Sequence, residues 1–254
     1  RSIVSADRGD YVAEASYELG KTYLSLGRYN QSAEALRSFV ESYPNSTHYT
    51  SALSDLGLIY ANLGNKEESL RYYDKAIKSS PTSSTARGAL QGIREIYVKD
   101  GNVDGYFDYV SKSGLAADMS EFTRDSLSFA AAKMFYLEHR TEDAARSLRS
   151  YVKTYERGAY LSDALLYLSQ CYREQNNPKA EIPVLKQFVA QGANEHTESA
   201  LVRLSELCMA EGRYVDAADV NLRLMDEGST AQLRGEASEN FVRSTVATGD
   251  KEQM

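Results

Sequence analysis

Seven positions, Gly27, Gly64, Gly101, His139, Asn176, Gly212 and Gly249, follow one another at intervals of 37, 37, 38, 37, 36 and 37 residues. Five of them are glycine, and asparagine is the next-best residue for a left-handed, helix-ending position; His139 is the outlier. A register held over seven positions restricts the chain to a repeat architecture, in which each unit is one supersecondary element. Four residues before the markers stand Tyr23, Tyr60, Tyr97, Phe135, Tyr172, Cys208 and Thr245. Eight before stand Leu19, Leu56, Ile93, Ala131, Leu168, Leu204 and Phe241, and eleven before stand Ser16, Leu53, Leu90, Ser128, Leu165, Leu201 and Ser238. Offsets of 3, 4 and 7 share one face of an amphipathic helix. A second apolar pattern follows each marker, as in Ala33, Leu36, Phe39 and Val40, then Leu70, Tyr73, Ala76 and Ile77, then Ile182, Leu185, Phe188 and Val189. Each repeat therefore reads as helix, tight turn, helix.

The stretches "ALRSFVESYPNS" (35–46) and "SLRSYVKTYE" (147–156) lie three repeats apart, at the second helices of repeats one and four. Their packing face persists (Leu36/Leu148, Phe39/Tyr151, Val40/Val152), whereas Pro44 has become Glu156. Pro44 and Pro81 close the second helices of repeats one and two, because proline disfavours a helical residue before it. Pro178 opens the second helix of repeat five, where its missing N–H costs nothing. Pro183, one turn later, predicts a helix that starts late or bends.

Asp and Glu (36) outnumber Lys and Arg (29), a formal charge of −7, and no basic stripe offers a phosphate track. Nucleic acid is therefore not an expected partner. The most basic stretch, Ser147–Lys153 with Arg140 and Arg146, reads as the solvated face of a helix. No apolar run approaches the ~20 residues that cross a bilayer. Cys171 and Cys208 fall on apolar helical patterns and read as buried free thiols. His48, His139 and His196 lie in links or turns without metal-ligand spacing, and Glu67–Glu68 and Glu236–Glu239 are ordinary surface carboxylates. The glycines are absorbed by turns, and no phosphate loop or nucleophile motif is present. No catalytic residue, metal site or cofactor is expected.

Helix pairs carrying Leu-Gly-x-x-Tyr, a downstream small residue, an aromatic and a closing Pro resemble the tetratricopeptide repeat. Repeat two carries this pattern as Leu56, Gly57, Tyr60, Gly64, Ser69, Tyr73, Ala76 and Pro81; repeat one as Leu19, Gly20, Tyr23, Gly27, Ser32, Leu36, Phe39 and Pro44. The resemblance implies an all-α, right-handed α-solenoid of antiparallel helix pairs, a superhelix with a period of about 37 residues rather than the family's usual 34. Repeat three departs from the pattern: Arg94 replaces the motif glycine, Tyr106 stands where a small residue is usual, and no Pro closes it. Irregular packing or a kink is expected over Asp100–Asp118. Residues 1–12 read as the tail of a preceding repeat or an N-terminal cap. Residues 13–118 read as repeats one to three, and 119–254 as repeats four to six plus the first helix of a seventh, in which "DKEQM" opens a second helix. The whole is expected to be one continuous array cut from a longer protein.

The same resemblance places a partner-binding groove on the first helices. By position in the repeat its lining is Tyr17, Lys21 and Leu24 in repeat one, Ser54 and Leu58 in repeat two, and Gln91 and Glu95 in repeat three. Phe129, Lys133 and Tyr136 follow in repeat four, Leu166, Gln170 and Arg173 in repeat five, and Glu206 in repeat six. Tyr17, Phe129 and Leu166 have an equal claim to pack against the next repeat. A mixed aromatic and polar lining suits a peptide or protein partner. The Lys and Asn clamp that some arrays use for a terminal carboxylate is not matched, since Tyr17, Lys21 and Asp55 occupy those places. Of 19 tyrosines, eight take no repeat-defining place: Tyr11, Tyr17, Tyr49, Tyr72, Tyr109, Tyr136, Tyr160 and Tyr167. These are the better interface candidates.

The junction "FVESYPNSTHYTSALSDLGLIYANLG" is similar to longer-period repeats of bacterial envelope proteins of the Tol–Pal-associated and outer-membrane-assembly lipoprotein types. That similarity implies a non-enzymatic scaffold that is periplasmic or associated with the outer membrane. The alternatives are the docking or sensory arm of a cytoplasmic regulator, and the helical arm of a cell-wall lytic enzyme whose catalytic domain lies elsewhere.

Overall fold

The computed structural model describes residues 2–115 and 119–249, with backbone alone for residues 2–10; Arg1, residues 116–118 and the "DKEQM" segment (250–254) lie outside the described residues. Among the described residues there are thirteen α-helices and no strand. They fall into two compact bodies, Arg1–Asp118 and Met119–Met254.

The N-terminal body holds α1 (Ser2–Ser25), α2 (Tyr29–Ser42), α3 (Tyr49–Asn62), α4 (Lys66–Ser79), α5 (Ser84–Lys99) and α6 (Val103–Ser113). The C-terminal body holds α7 (Glu121–Leu137), α8 (Thr141–Thr154), α9 (Leu161–Glu174), α10 (Pro178–Val189), α11 (Thr197–Ala210), α12 (Tyr214–Glu227) and α13 (Ala231–Thr248). Odd-numbered helices are the first helices of repeats. Each from α1 to α11 packs on its successor, α13 packs on α12, and α1·α3, α3·α5 and α7·α9 also touch. Residues 2–12 are the opening turns of α1 and run into the first helix of repeat one within the same helix.

All seven markers have positive φ, including His139 at 58° and Asn176 at 49°. The left-handed residue reverses the chain, so that the amide after it reaches back to the carbonyl four residues before it. Arg28 N donates to Tyr23 O, Asn65 N to Tyr60 O, Arg140 N to Phe135 O and Asn177 N to Tyr172 O, each at 2.9 Å. This is the Schellman closure of a helix C-terminus. The next helix then starts at once. Where the following residue is Asn (65, 102 or 177), its side chain caps the new helix; where it is Arg (28, 140 or 213), there is no side-chain cap. Helix α10 begins on schedule at Pro178, so Pro183 does not delay it.

Second helices meet first helices through a small residue. Ser32 Oγ donates to Gly20 O at 2.7 Å, and Ser69 Oγ to Gly57 O at 2.6 Å. Bulk is matched beside this contact. Leu36 faces Gly20, whereas its counterpart Tyr73 lies against both Gly57 and Gly92. A Cβ at Gly92 would stand 2.5 Å from Tyr73 Cζ. Gly92 thus makes room on α5 for the larger ring, although it lies outside the family's glycine position. In repeat three the bulky Tyr106 is buried edge-on to Phe107, with ring centroids 5.3 Å apart.

Candidate protein-interaction surfaces

The first-helix face of the N-terminal body is polar and partly closed. Tyr17 is only 6% exposed. Its ring stacks on His48 (4.6 Å, 14°) and its hydroxyl donates to Asp55 Oδ2 at 3.1 Å. Burial, then the neighbouring Asp55 carboxylate, pushes the Tyr17 pKa well above the usual tyrosine range. Burial also raises the Asp55 carboxyl, with the hydrogen bond from Tyr17 acting against it. Lys21 and Leu58 are exposed, Leu24 and Ser54 half-buried, and Gln91 and Glu95 exposed with Gln91 Nε2 donating to Glu95 Oε1 at 3.0 Å. Leu58 and Glu95 border a cleft of about 360 Å³ floored by Tyr73 and Gly92.

The C-terminal body presents a more aromatic face. Tyr136 and Tyr167 are half-buried, with centroids 4.9 Å apart, and Lys133 Nζ sits 5.5 Å over the Tyr167 ring. Leu166 and Gln170 are half-buried beside them, and Arg173 is exposed. On α11, Glu206 is exposed and lies 3.6 Å from Arg203. Phe129, in contrast, is 6% exposed beneath Tyr160 and Tyr167.

Tyr17 and Phe129 are therefore corrections to the sequence-based lining: both rings are interior. Tyr72, also expected at an interface, is 5% exposed. Of the remaining free tyrosines, Tyr11 is exposed, while Tyr49, Tyr109, Tyr136, Tyr160 and Tyr167 are half-buried. The Tyr109 hydroxyl is engaged by Asp74 at 3.2 Å.

The burial of Tyr17 and Phe129 has one cause. In repeat one, Tyr17 packs on Phe39 (5.5 Å) and His48, and Phe39 packs on Tyr43 (5.6 Å). In repeat four, Phe129 packs on Tyr151 (5.7 Å) and Tyr160 (4.9 Å), and Tyr151 packs on Tyr155 (5.0 Å). All four pairs of positions are related by the same three-repeat step, so the repeated sequence segments belong to one recurring four-ring cluster. Its polar locks differ. Where repeat one has Ala13 and Phe39, repeat four has a buried Asp125 that accepts from the Tyr151 hydroxyl and from Ala159 N at 2.7 Å. The Tyr151 oxygen in turn accepts from Tyr160 N at 3.3 Å. This network pins the link that lacks Pro44's counterpart, and α8 ends one residue before Tyr155 just as α2 ends before Tyr43.

A second polar lock escaped the sequence pattern. Glu181 occupies the small-residue slot of repeat five, is 2% exposed, and is held by Arg203 of α11 through two 2.9 Å bonds. The two cysteines are buried and free, and burial pushes the Cys171 thiol up to about 11. Among the described residues, no group of His, Cys, Asp and Glu is arranged to hold a metal ion, and no helix is long and apolar enough to cross a membrane.

Residues 17–84 and 163–191 match family profiles described as tetratricopeptide repeat. The chain carries tetratricopeptide repeats, and its all-α repeat fold is of the kind that serves protein–protein interaction. Among solved structures, that of Pseudomonas aeruginosa pilF is 16% identical, with 91% of this chain and 99% of that one covered at a TM-score of 0.36. The type IV pilus biogenesis factor PilW is 14% identical, with 89% and 97% covered at 0.36. A tetratricopeptide repeat protein from Parabacteroides merdae is 13% identical, with 91% and 98% covered at 0.32. A comparison with curated proteins finds no match.

Proposed function

We propose that this chain is a non-enzymatic scaffold that captures a peptide or protein partner on its first-helix faces, with the C-terminal body supplying the principal site. The observation that carries the reading is the open cluster of Lys133, Tyr136 and Tyr167 beside Gln170 and Arg173. Rigid half-exposed rings give contact area at low entropic cost, and the flanking cations orient a polar partner. Exposed Leu58 and Glu95 at the cleft of the N-terminal body give that body a smaller, separate site. The Phe39–Gly64 junction supports a setting in the Gram-negative envelope.

The test is capture of envelope proteins by the immobilised chain. Lys133→Glu and Tyr136→Ala should each reduce recovery of the captured partner about tenfold, the scale of one interface hot spot, with helical circular dichroism unchanged. Equal recovery by both variants would remove the site assignment.

A further inference from the structure

The second helices carry a cleft that the first-helix reading does not use. Between α8 and α10, over α9, lies a space of about 650 Å³ whose floor is Leu168 and Tyr172 and whose walls include Val152, Val184 and Pro183. Arg149 and Lys153 line its α8 edge, with Glu156 the one carboxylate among the lining residues. Neither Arg149 nor Lys153 has an ion-pair partner among the described residues. These cations belong to the basic stretch that reads in sequence as a solvated helix face.

The N-terminal body shows what such a cleft holds. Measured from the turn markers, Tyr60 corresponds to Tyr172, Arg37 to Arg149 and Tyr72 to Val184. Tyr72 is buried and stacks on Tyr60 with centroids 5.4 Å apart and planes within 1°. Arg71 lies 4.8 Å and Lys75 5.5 Å from its ring centre. There the space between second helices is filled by the protein's own aromatic ring in a cationic frame. In the C-terminal body the ring is replaced by valine and the framing Arg71 and Lys75 by Pro183 and Gln187, while the tyrosine floor and the arginine of the preceding second helix (Arg37, here Arg149) remain.

We infer that the α8–α10 cleft is a binding site for an extended acidic peptide segment, which inserts one aromatic side chain over Tyr172 and pairs its flanking carboxylates with Arg149 and Lys153. The missing ring sets the shape, and the two unpaired cations set the charge, against a chain whose overall charge of −7 otherwise repels acidic ligands. Such an aromatic anchor set in a pocket with a charged rim is the usual form of an interface hot spot.

The chain contains no tryptophan, so a synthetic peptide with one Trp flanked by Asp and Glu reports its own binding by fluorescence anisotropy. The full chain should bind it, and added salt should weaken the binding. Val184→Tyr, which rebuilds the filled cleft of the N-terminal body, and Arg149→Glu, at an exposed position, should each weaken binding about tenfold or more. Lys133→Glu, on the first-helix face, should leave it unchanged, so this test is independent of the groove proposal. No binding by the unaltered chain, binding insensitive to both cleft variants, or equal binding of a peptide with Ser in place of its acids would each overturn the inference.

Discussion

The Asp125–Tyr151 pair offers a direct measurement of what holds repeat four together. Tyr151→Phe deletes a hydroxyl that donates to the buried Asp125 carboxylate and accepts from Tyr160 N. A hydrogen bond to a charged group is worth about 1.5–3 kcal/mol, and stranding a buried partner costs at least as much. The expected loss is therefore about 2–3 kcal/mol, or about 5–10 °C in the melting of the C-terminal body. Asp125→Ala should cost about 2 kcal/mol, because Ala159 N and the Tyr151 hydroxyl both lose their acceptor. The double variant recreates the Ala13–Phe39 pair of repeat one, and should cost no more than either single change. Melting followed by circular dichroism gives the cycle, and hydrogen exchange at Ala159 and Tyr160 localises it, since both amides should exchange faster in each single variant. If the two losses add to within ~0.5 kcal/mol, the groups are uncoupled and the reasoning fails.

Gly92→Ala should destabilise the N-terminal body by about 1–3 kcal/mol through the clash with Tyr73, and Tyr73→Leu, the residue type at the matching place in repeat one, should recover most of it; a silent Gly92→Ala melt would refute the packing argument. Arg203→Met should cost about 3–5 kcal/mol by leaving Glu181 charged and buried, whereas Glu181→Ala, which restores a small residue to its slot, should cost less; the reverse order in chemical denaturation would contradict this. Alkaline pH should also unfold the chain. Burial raises Cys171 from 9.0 to about 11 and Tyr73 from 10.0 to about 12. The folded state holds these protons more tightly than the unfolded chain, so their contribution is intact below pH 9 and is lost as pH climbs through 11 to 12. Stability that stays flat over that window would exclude it.

The turn register was fully legible, because a left-handed residue is a backbone requirement that leaves a trace at a single position. Even His139, the weakest marker in sequence, adopts it. Helix ends followed from the same register, with α8 stopping on time without a proline. Side-chain fate was legible only where one helix decides it. Tyr17 and Phe129 occupy a groove-facing place in the repeat, but His48 and Tyr160, each in the link that follows the second helix, close over them. Glu181 was invisible for a related reason: a charge in a small-residue slot makes sense only with Arg203, which sits on the next repeat. Gly92 likewise answers to Tyr73, not to its own helix.

Because the four-ring cluster recurs three repeats further on, the gene has equivalent cutting points at Gly27 and His139. On either side the chain meets the same turn, followed by an arginine and a helix whose buried face has matching residues. Excising residues 28–139 joins Gly27 to Arg140 and leaves Tyr17 facing Tyr151 and Tyr160, in the places that Phe39 and His48 held. The splice would also separate Tyr151 from Asp125 and set it against Ala13, a Tyr–Ala pairing that neither repeat has. Whole cassettes of three repeats can thus be lost or gained with the ring cluster kept, at the expense of the Tyr17–Asp55 bond and the Asp125 network, whereas a shift by one residue displaces every ring.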